Sequence, residues 1–218
     1  MSVNEIQKHL LAMPHAFLII QKAQEALEKE KELRQHFYEV IEENKKMEFI
    51  NGEIIFQSPV KRRHNDATGN IYKMMDFFVV EHNLGWVGIE KVLISLSRND
   101  YEPDVCFWKK DKAKHFTDDQ MQFPAPDLVV EVLYKSTAHT DRTTKFEDYQ
   151  AHEIKEYWIV DPSAQVIEQY VLHSKRYELI FKGKNGSITS TAIKNFTLPV
   201  AAIFDKKLTN QALASFSN

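Results

Sequence analysis

The chain has 218 residues, 43% of them hydrophobic and 11% aromatic, with six glycines and seven prolines; this composition excludes a largely disordered chain and supplies one substantial core. A formal net charge of −3 excludes a uniformly basic coat for nucleic acid, though local patches can still hold phosphates. The single cysteine, Cys106, excludes an internal disulfide and sits in the apolar run Val105-Cys106-Phe107-Trp108 as a small core residue.

The opening residues carry no basic region feeding an apolar stretch, and no run of about 18 apolar residues follows. No membrane span is expected, and the reducing cytoplasm is the expected location. Pro14 removes a donor and clashes with a preceding turn, so it interrupts any early helix. A helix is predicted over 21–46, where Ala23, Ala26, Leu27, Leu33, Phe37, Val40 and Ile41 recur among Glu and Lys residues. The expected organisation is an N-terminal helical extension over 1–36 and one main domain over 37–218.

Residues 47–56 read as a hairpin around Asn51-Gly52. Ile71, Met74, Met75, Phe78 and Val79 predict a helix over 65–82 that packs on a sheet. A strand is expected over 89–96, and another begins near Pro103, where a missing donor is tolerable. Residues 128–133 are apolar on both faces apart from one carboxylate, the pattern of a central covered strand. A helix over 140–152 then precedes a strand at 157–160 and further strands at 166–172 and 177–181. Beyond Ser187 the weaker periodicity predicts a segment that wraps the surface. The class is α/β: a mixed sheet flanked by helices, with additional hairpins.

Glu131 stands out because Val129-Val130-Glu131-Val132 places a charge inside a buried strand, where a cation, a basic side chain or water must compensate it. Asp104, after Pro103, sits at the entrance of another strand. If the two strands pair, these carboxylates converge as hard ligands for Mg²⁺ or Mn²⁺; the alternative is strand-end hydrogen bonding or a structural ion pair. Asp127 shares the parity of Glu131, but four residues of strand, roughly 13 Å, separate them. Lys145 falls on the next helix at the spacing of Tyr149 and His152, from where it could neutralise a phosphate. Lys135, in the loop after the Glu131 strand, is an alternative cation. His64 reads either as a substrate contact or as a stabiliser of the bend before its helix, while Glu53 and Glu90 are candidates to approach a metal.

Several fragments recur in order: Phe49-Ile50-Asn51-Gly52-Glu53, Ser58-Pro59 with His64, Glu102-Pro103-Asp104-Val105, Ala125-Pro126-Asp127 running on to Leu133, Asp141 with Lys145 and Tyr149, and Glu156-Tyr157-Trp158 running on to Pro162. Together, over roughly 37–172, they resemble the Uma2 family of endonucleases, a branch of the PD-(D/E)XK nuclease superfamily. The resemblance implies a restriction-endonuclease-like fold and metal-dependent hydrolysis of DNA phosphodiesters. It implies Asp104 and Glu131 as metal ligands and Asp104, Glu131 and Lys145 as catalytic residues, with His64, Lys135 and Tyr149 contacting substrate. The superfamily's motif lysine would fall at Leu133, so Lys145 is the expected substitute. The chain also departs at Tyr134-Lys135-Ser136-Thr137, where such proteins commonly carry a proline at the second position. A non-catalytic nucleic-acid-binding module, a structural homo-oligomer built on the N-terminal helix, and a homodimer to which the strand Val166-Ile167-Glu168 with Tyr170 and Tyr177 contributes remain open.

Overall fold

A computed structural model describes residues 3–42 and 45–216. Two helices, α1 (Val3–Leu11) and α2 (Ala16–Val40), flank Pro14 and precede the hairpin β1 (Met47–Ile50) and β2 (Glu53–Phe56). Asn51 (φ 52°) and Gly52 (φ 86°) occupy left-handed backbone at its turn, which explains the Asn-Gly pair. Helix α3 (Arg62–Glu81) leads to β3 (Gly85–Ile89), β4 (Leu93–Ser95), β5 (Asp100–Tyr101) and β6 (Val105–Lys109). One turn of helix, α4 (Lys110–Ala113), and β7 (Gln122–Phe123) precede β8 (Leu128–Val132), α5 (Ala138–Arg142), α6 (Thr144–Ala151) and β9 (Glu156–Asp161). The chain continues through β10 (Val166–His173), β11 (Arg176–Gly183), β12 (Ser187–Thr189) and β13 (Thr197–Pro199) to α7 (Val200–Phe204) and α8 (Lys206–Phe216).

The strands form a six-stranded sheet in the order β11-β10-β9-β8-β6-β3, a five-stranded sheet in the order β2-β1-β5-β4-β7, and the β12–β13 pair. The larger sheet is mixed, with β8 parallel to β9 and antiparallel to β6. Every residue of β8 is buried, as its unbroken apolar run predicts. Leu128, Val130 and Val132 face a core shared with α3, α7 and α8, whereas Val129 faces a second core with Tyr149, Tyr157 and Trp108. By parity Glu131 points with Val129, toward α6.

Several sequence expectations change. The long helix runs over 16–40 rather than 21–46. The strand expected over 89–96 is broken, because Glu90 adopts φ 58° after β3 and the chain re-enters a different sheet as β4. The helix expected over 140–152 is split at Thr143, whose φ of −125° and ψ of −84° are not helical. The segment after Ser187 is core rather than wrapping: Ile188, Ile193, Phe196, Leu198 and Ile203 are fully buried. Glu156 anchors it, with Oε2 accepting hydrogen bonds from Ser190 Oγ (2.7 Å) and the Ala192 amide (2.8 Å).

Helix α2 is fixed at its C-terminal half. Arg34 forms a fork on Asp100 (Nε–Oδ2 2.6 Å, Nη2–Oδ1 2.9 Å), and Phe37 is fully buried. No described residue of α1 is buried.

Candidate metal centre

The β6–β8 register pairs Val105 with Val130 and Cys106 with Val129; one further step sets Asp104 opposite Glu131. Opposed residues of an antiparallel pair share a face. Both carboxylates line a cleft of about 160 Å³ that also includes Asp141 and Lys145. Asp104 is fixed by the Val132 amide on Oδ2 (2.7 Å) and by Lys46 Nζ on Oδ1 (2.9 Å). His64 Nε2 lies 3.4 Å from Oδ2. Burial works against the charge of Asp104, but Lys46 and His64 outweigh it and hold its pKa well below the usual carboxylate range.

Glu131 Oε1 accepts hydrogen bonds from Lys145 Nζ (3.0 Å) and Tyr149 Oη (2.8 Å), and no hydrogen bond from a described residue reaches Oε2. Lys145 also pairs with Glu48 (2.8 Å) and Asp141 (3.6 Å) and lies over the Tyr101 ring at 5.5 Å. Burial would discharge Lys145, yet Glu131, Glu48 and Asp141 reverse that and hold its pKa well above the usual lysine value. One ammonium cannot neutralise three carboxylates. Burial, reinforced by Asp141, Asp104 and Glu48, therefore pushes Glu131 up to about 8 despite Lys145. Asp141 is also raised by burial, and its buried Oδ1 has no hydrogen-bond partner among the described residues.

The compact ligand-type group among the described residues is His64, Glu90 and Asp104, whose donor atoms lie within 4.8 Å of one another. The left-handed backbone at Glu90, tied by its amide to the Asp104 carbonyl (3.0 Å), delivers the first of these side chains. Lys46 Nζ stands between Glu90 Oε2 (3.0 Å) and Asp104 Oδ1 (2.9 Å), an ammonium placed where the donor set suits a cation. With three carboxylates around the one ammonium of Lys145, and an Asp141 oxygen that accepts no hydrogen bond from a described residue, this donor set fits a metal ion.

Of the residues singled out in the sequence, Asp104, Glu131, Lys145, Tyr149 and His64 converge. Lys135 is exposed and lines the neighbouring cleft rather than the carboxylate cluster. Asp127 faces elsewhere, receiving the Lys109 amide (2.9 Å) and Lys112 Nζ (3.2 Å). His152 does not join Lys145: it lies beyond the end of α6 and bonds Ser97 and Asp148. Glu53 is an exposed hairpin residue. Lys46 and Glu48 escaped sequence reasoning, Lys46 because it resembled the end of a charged helix and Glu48 because it alternates with apolar residues in a strand.

A mixed α/β fold with flanking helices around a cluster of carboxylates and a histidine defines the class, one consistent with a metal-binding protein. Residues 34–201 match the Uma2 family, described as "putative restriction endonuclease", and the chain belongs to that family. It is 29% identical over 154 residues to an uncharacterized protein of Synechocystis sp. (sll1609), covering 68% of this chain and 86% of that protein. A solved structure from Anabaena variabilis, described as a "putative nuclease belonging to DUF820", shares the fold with a TM-score of 0.67 and 17% identity. That match covers 79% of this chain and 96% of the other. No described helix is long and apolar enough to cross a membrane.

Proposed function

We propose that this protein is a metal-dependent endonuclease hydrolysing DNA phosphodiester bonds, with Asp104 and Glu131 as ligands for Mg²⁺ or Mn²⁺ and Lys145 as the cation beside them. The observation that carries this reading is the buried carboxylate cluster: Glu48, Glu131 and Asp141 share the single ammonium of Lys145 at 2.8, 3.0 and 3.6 Å, and Glu131, raised to about 8, keeps a proton at neutral pH that a metal ion would displace. Buried carboxylates in such excess are relieved by a proton or by a further cation, and they favour the cation where one can enter. Their oxygens suit a hard ion, and His64 and Glu90 add donors on the Asp104 side.

A bound ion would supply Lewis acidity toward a phosphoryl oxygen and lower the pKa of an attacking water. Asp104 stays ionised at neutral pH and so presents an anionic oxygen. Lys145 and Tyr149 grip one oxygen of Glu131, which fixes the orientation of the other. At 1% exposure Lys145 acts first by positioning Glu131, and its charge also favours negative charge developing nearby.

A homodimer is the second reading, favoured by Val3, Phe17 and Leu18, which lie more than half exposed on α1 and α2. Removing residues 1–22 would then halve the mass measured by light scattering.

The test of the main reading is Mn²⁺ calorimetry on the parent, Asp104→Asn and Glu131→Gln. Both substitutions should abolish measurable binding while the fold is retained. Unchanged binding in Glu131→Gln would remove Glu131 as a ligand, and metal binding with no product from DNA would favour a non-catalytic binding module.

A further inference from the structure

The carboxylate cleft does not end at the metal cluster. His64 and Tyr134 line both it and a wider cleft of about 370 Å³, so the two form one trough. On the carboxylate side its rim carries Phe56, 64% exposed at the end of the edge strand β2, and Val60, 40% exposed. On the far side stand Lys61, Arg63 and Lys135, all exposed.

Those three cations have no ion pair with a carboxylate among the described residues, a state they share with other surface lysines such as Lys73, Lys109 and Lys110; what distinguishes them is that all three line one cleft beside the carboxylates. Asp161, the acidic residue of the same wall, directs Oδ1 to the amides of Ser163 (2.8 Å) and Ala164 (2.9 Å). The trough thus combines positive charge without an internal partner, an exposed phenyl ring and a half-buried tyrosine.

We propose that this trough binds a single-stranded polynucleotide, with unpaired bases against Phe56 and Tyr134 and phosphates on Lys61, Arg63 and Lys135. The inference rests on the proposed nuclease reading and names the form of its substrate. Flat aromatic side chains reward a base only when its face is uncovered, and in a duplex both faces are covered by neighbouring pairs. A duplex held by its backbone gains from many spread phosphate contacts, whereas the cations that line this cleft are three, Lys61, Arg63 and Lys135.

The experiment is fluorescence anisotropy with the full chain in EDTA, so that no probe is cut, over a range of salt concentrations. The probes are short single strands of DNA and RNA, the annealed DNA duplex and an abasic DNA strand of equal length. At least one base-bearing single strand should bind about tenfold or more tighter than the duplex and the abasic strand. Phe56→Ala, at an exposed position, should weaken that binding about five- to hundredfold, the range for losing one base stack. Tyr134→Ala should do the same. Joint replacement of Lys61, Arg63 and Lys135 by Gln should flatten the slope of log affinity against log salt by about two.

Equal binding of duplex, abasic and single strands, or no effect of Phe56→Ala, would overturn the proposal. The nuclease reading fails separately: metal-dependent cleavage of a duplex without single-strand preference would remove only this inference. Single-strand binding without cleavage in Mg²⁺ or Mn²⁺ would support the trough and remove the enzyme.

Discussion

Lys145 Nζ lies 3.0 Å from Glu131 Oε1, and the hydroxyl of Tyr149, one helical turn along α6, donates to the same oxygen at 2.8 Å. The strand supplies the carboxylate and the helix supplies two donors at i and i+4, so the geometry depends on α6 docking against β8.

Lys145→Met should therefore do more than remove a charge near a phosphate. It leaves Glu131, Glu48 and Asp141 buried without their shared cation, and losing one partner of a buried pair costs about 3–5 kcal/mol. Urea unfolding should show that loss, and adding Glu48→Gln should recover part of it. Parent-like stability in Lys145→Met would mean that water already screens the cluster.

Glu131 also gives the metal-free protein a pH signature. Its folded pKa is raised to about 8 from 4.5, so the fold keeps a proton that the unfolded chain releases. The stabilising contribution is full below about pH 4.5 and is lost as pH rises through about 8. Glu131→Gln should flatten this decline in urea midpoints measured from pH 5 to 9, and an identical decline in the variant would assign the proton to another group.

Lys46 bridges Glu90 and Asp104, the position in which an added cation would compete with it. Lys46→Met should raise Mn²⁺ affinity by about tenfold, near 1.4 kcal/mol, in calorimetry. A fall in affinity would identify Lys46 as a holder of the ligands rather than a stand-in for the ion.

Deleting residues 1–22 should preserve the cooperative unfolding transition, since no described residue in that stretch is buried. Arg34→Ala should instead cost about 3–5 kcal/mol, because it strips the fork from the fully buried Asp100. Loss of the transition in the truncation would show that the arm belongs to the core.

Much of this arrangement is legible in the sequence where a local rule dominates. Asn51-Gly52 marks the hairpin turn, and a lone Glu in the apolar run of β8 marks the carboxylate that faces α6. The charge on Glu131 is visible because nothing else in that strand is polar. What escapes is set by tertiary partners. Lys46 and Glu48 look like ordinary surface charges until β1 packs beside β5 and buries them against residues more than 40 positions away. Glu90 reads as a strand residue, because no glycine or asparagine stands at this left-handed position to announce it. The region after Ser187 has weak periodicity because its core residues sit on two short strands, the loop between them and two helices, and the buried Glu156 that anchors it lies about 35 residues earlier.

The most direct test of the central claim is cleavage of single-stranded and duplex DNA by the full chain in Mg²⁺, Mn²⁺ or EDTA, with the parent beside Asp104→Asn. Product should form only with a divalent ion and only in the parent, and the variant should fall by at least a hundredfold, about 2.7 kcal/mol in the barrier. Cleavage that persists in EDTA or at the parent rate in Asp104→Asn would contradict the account.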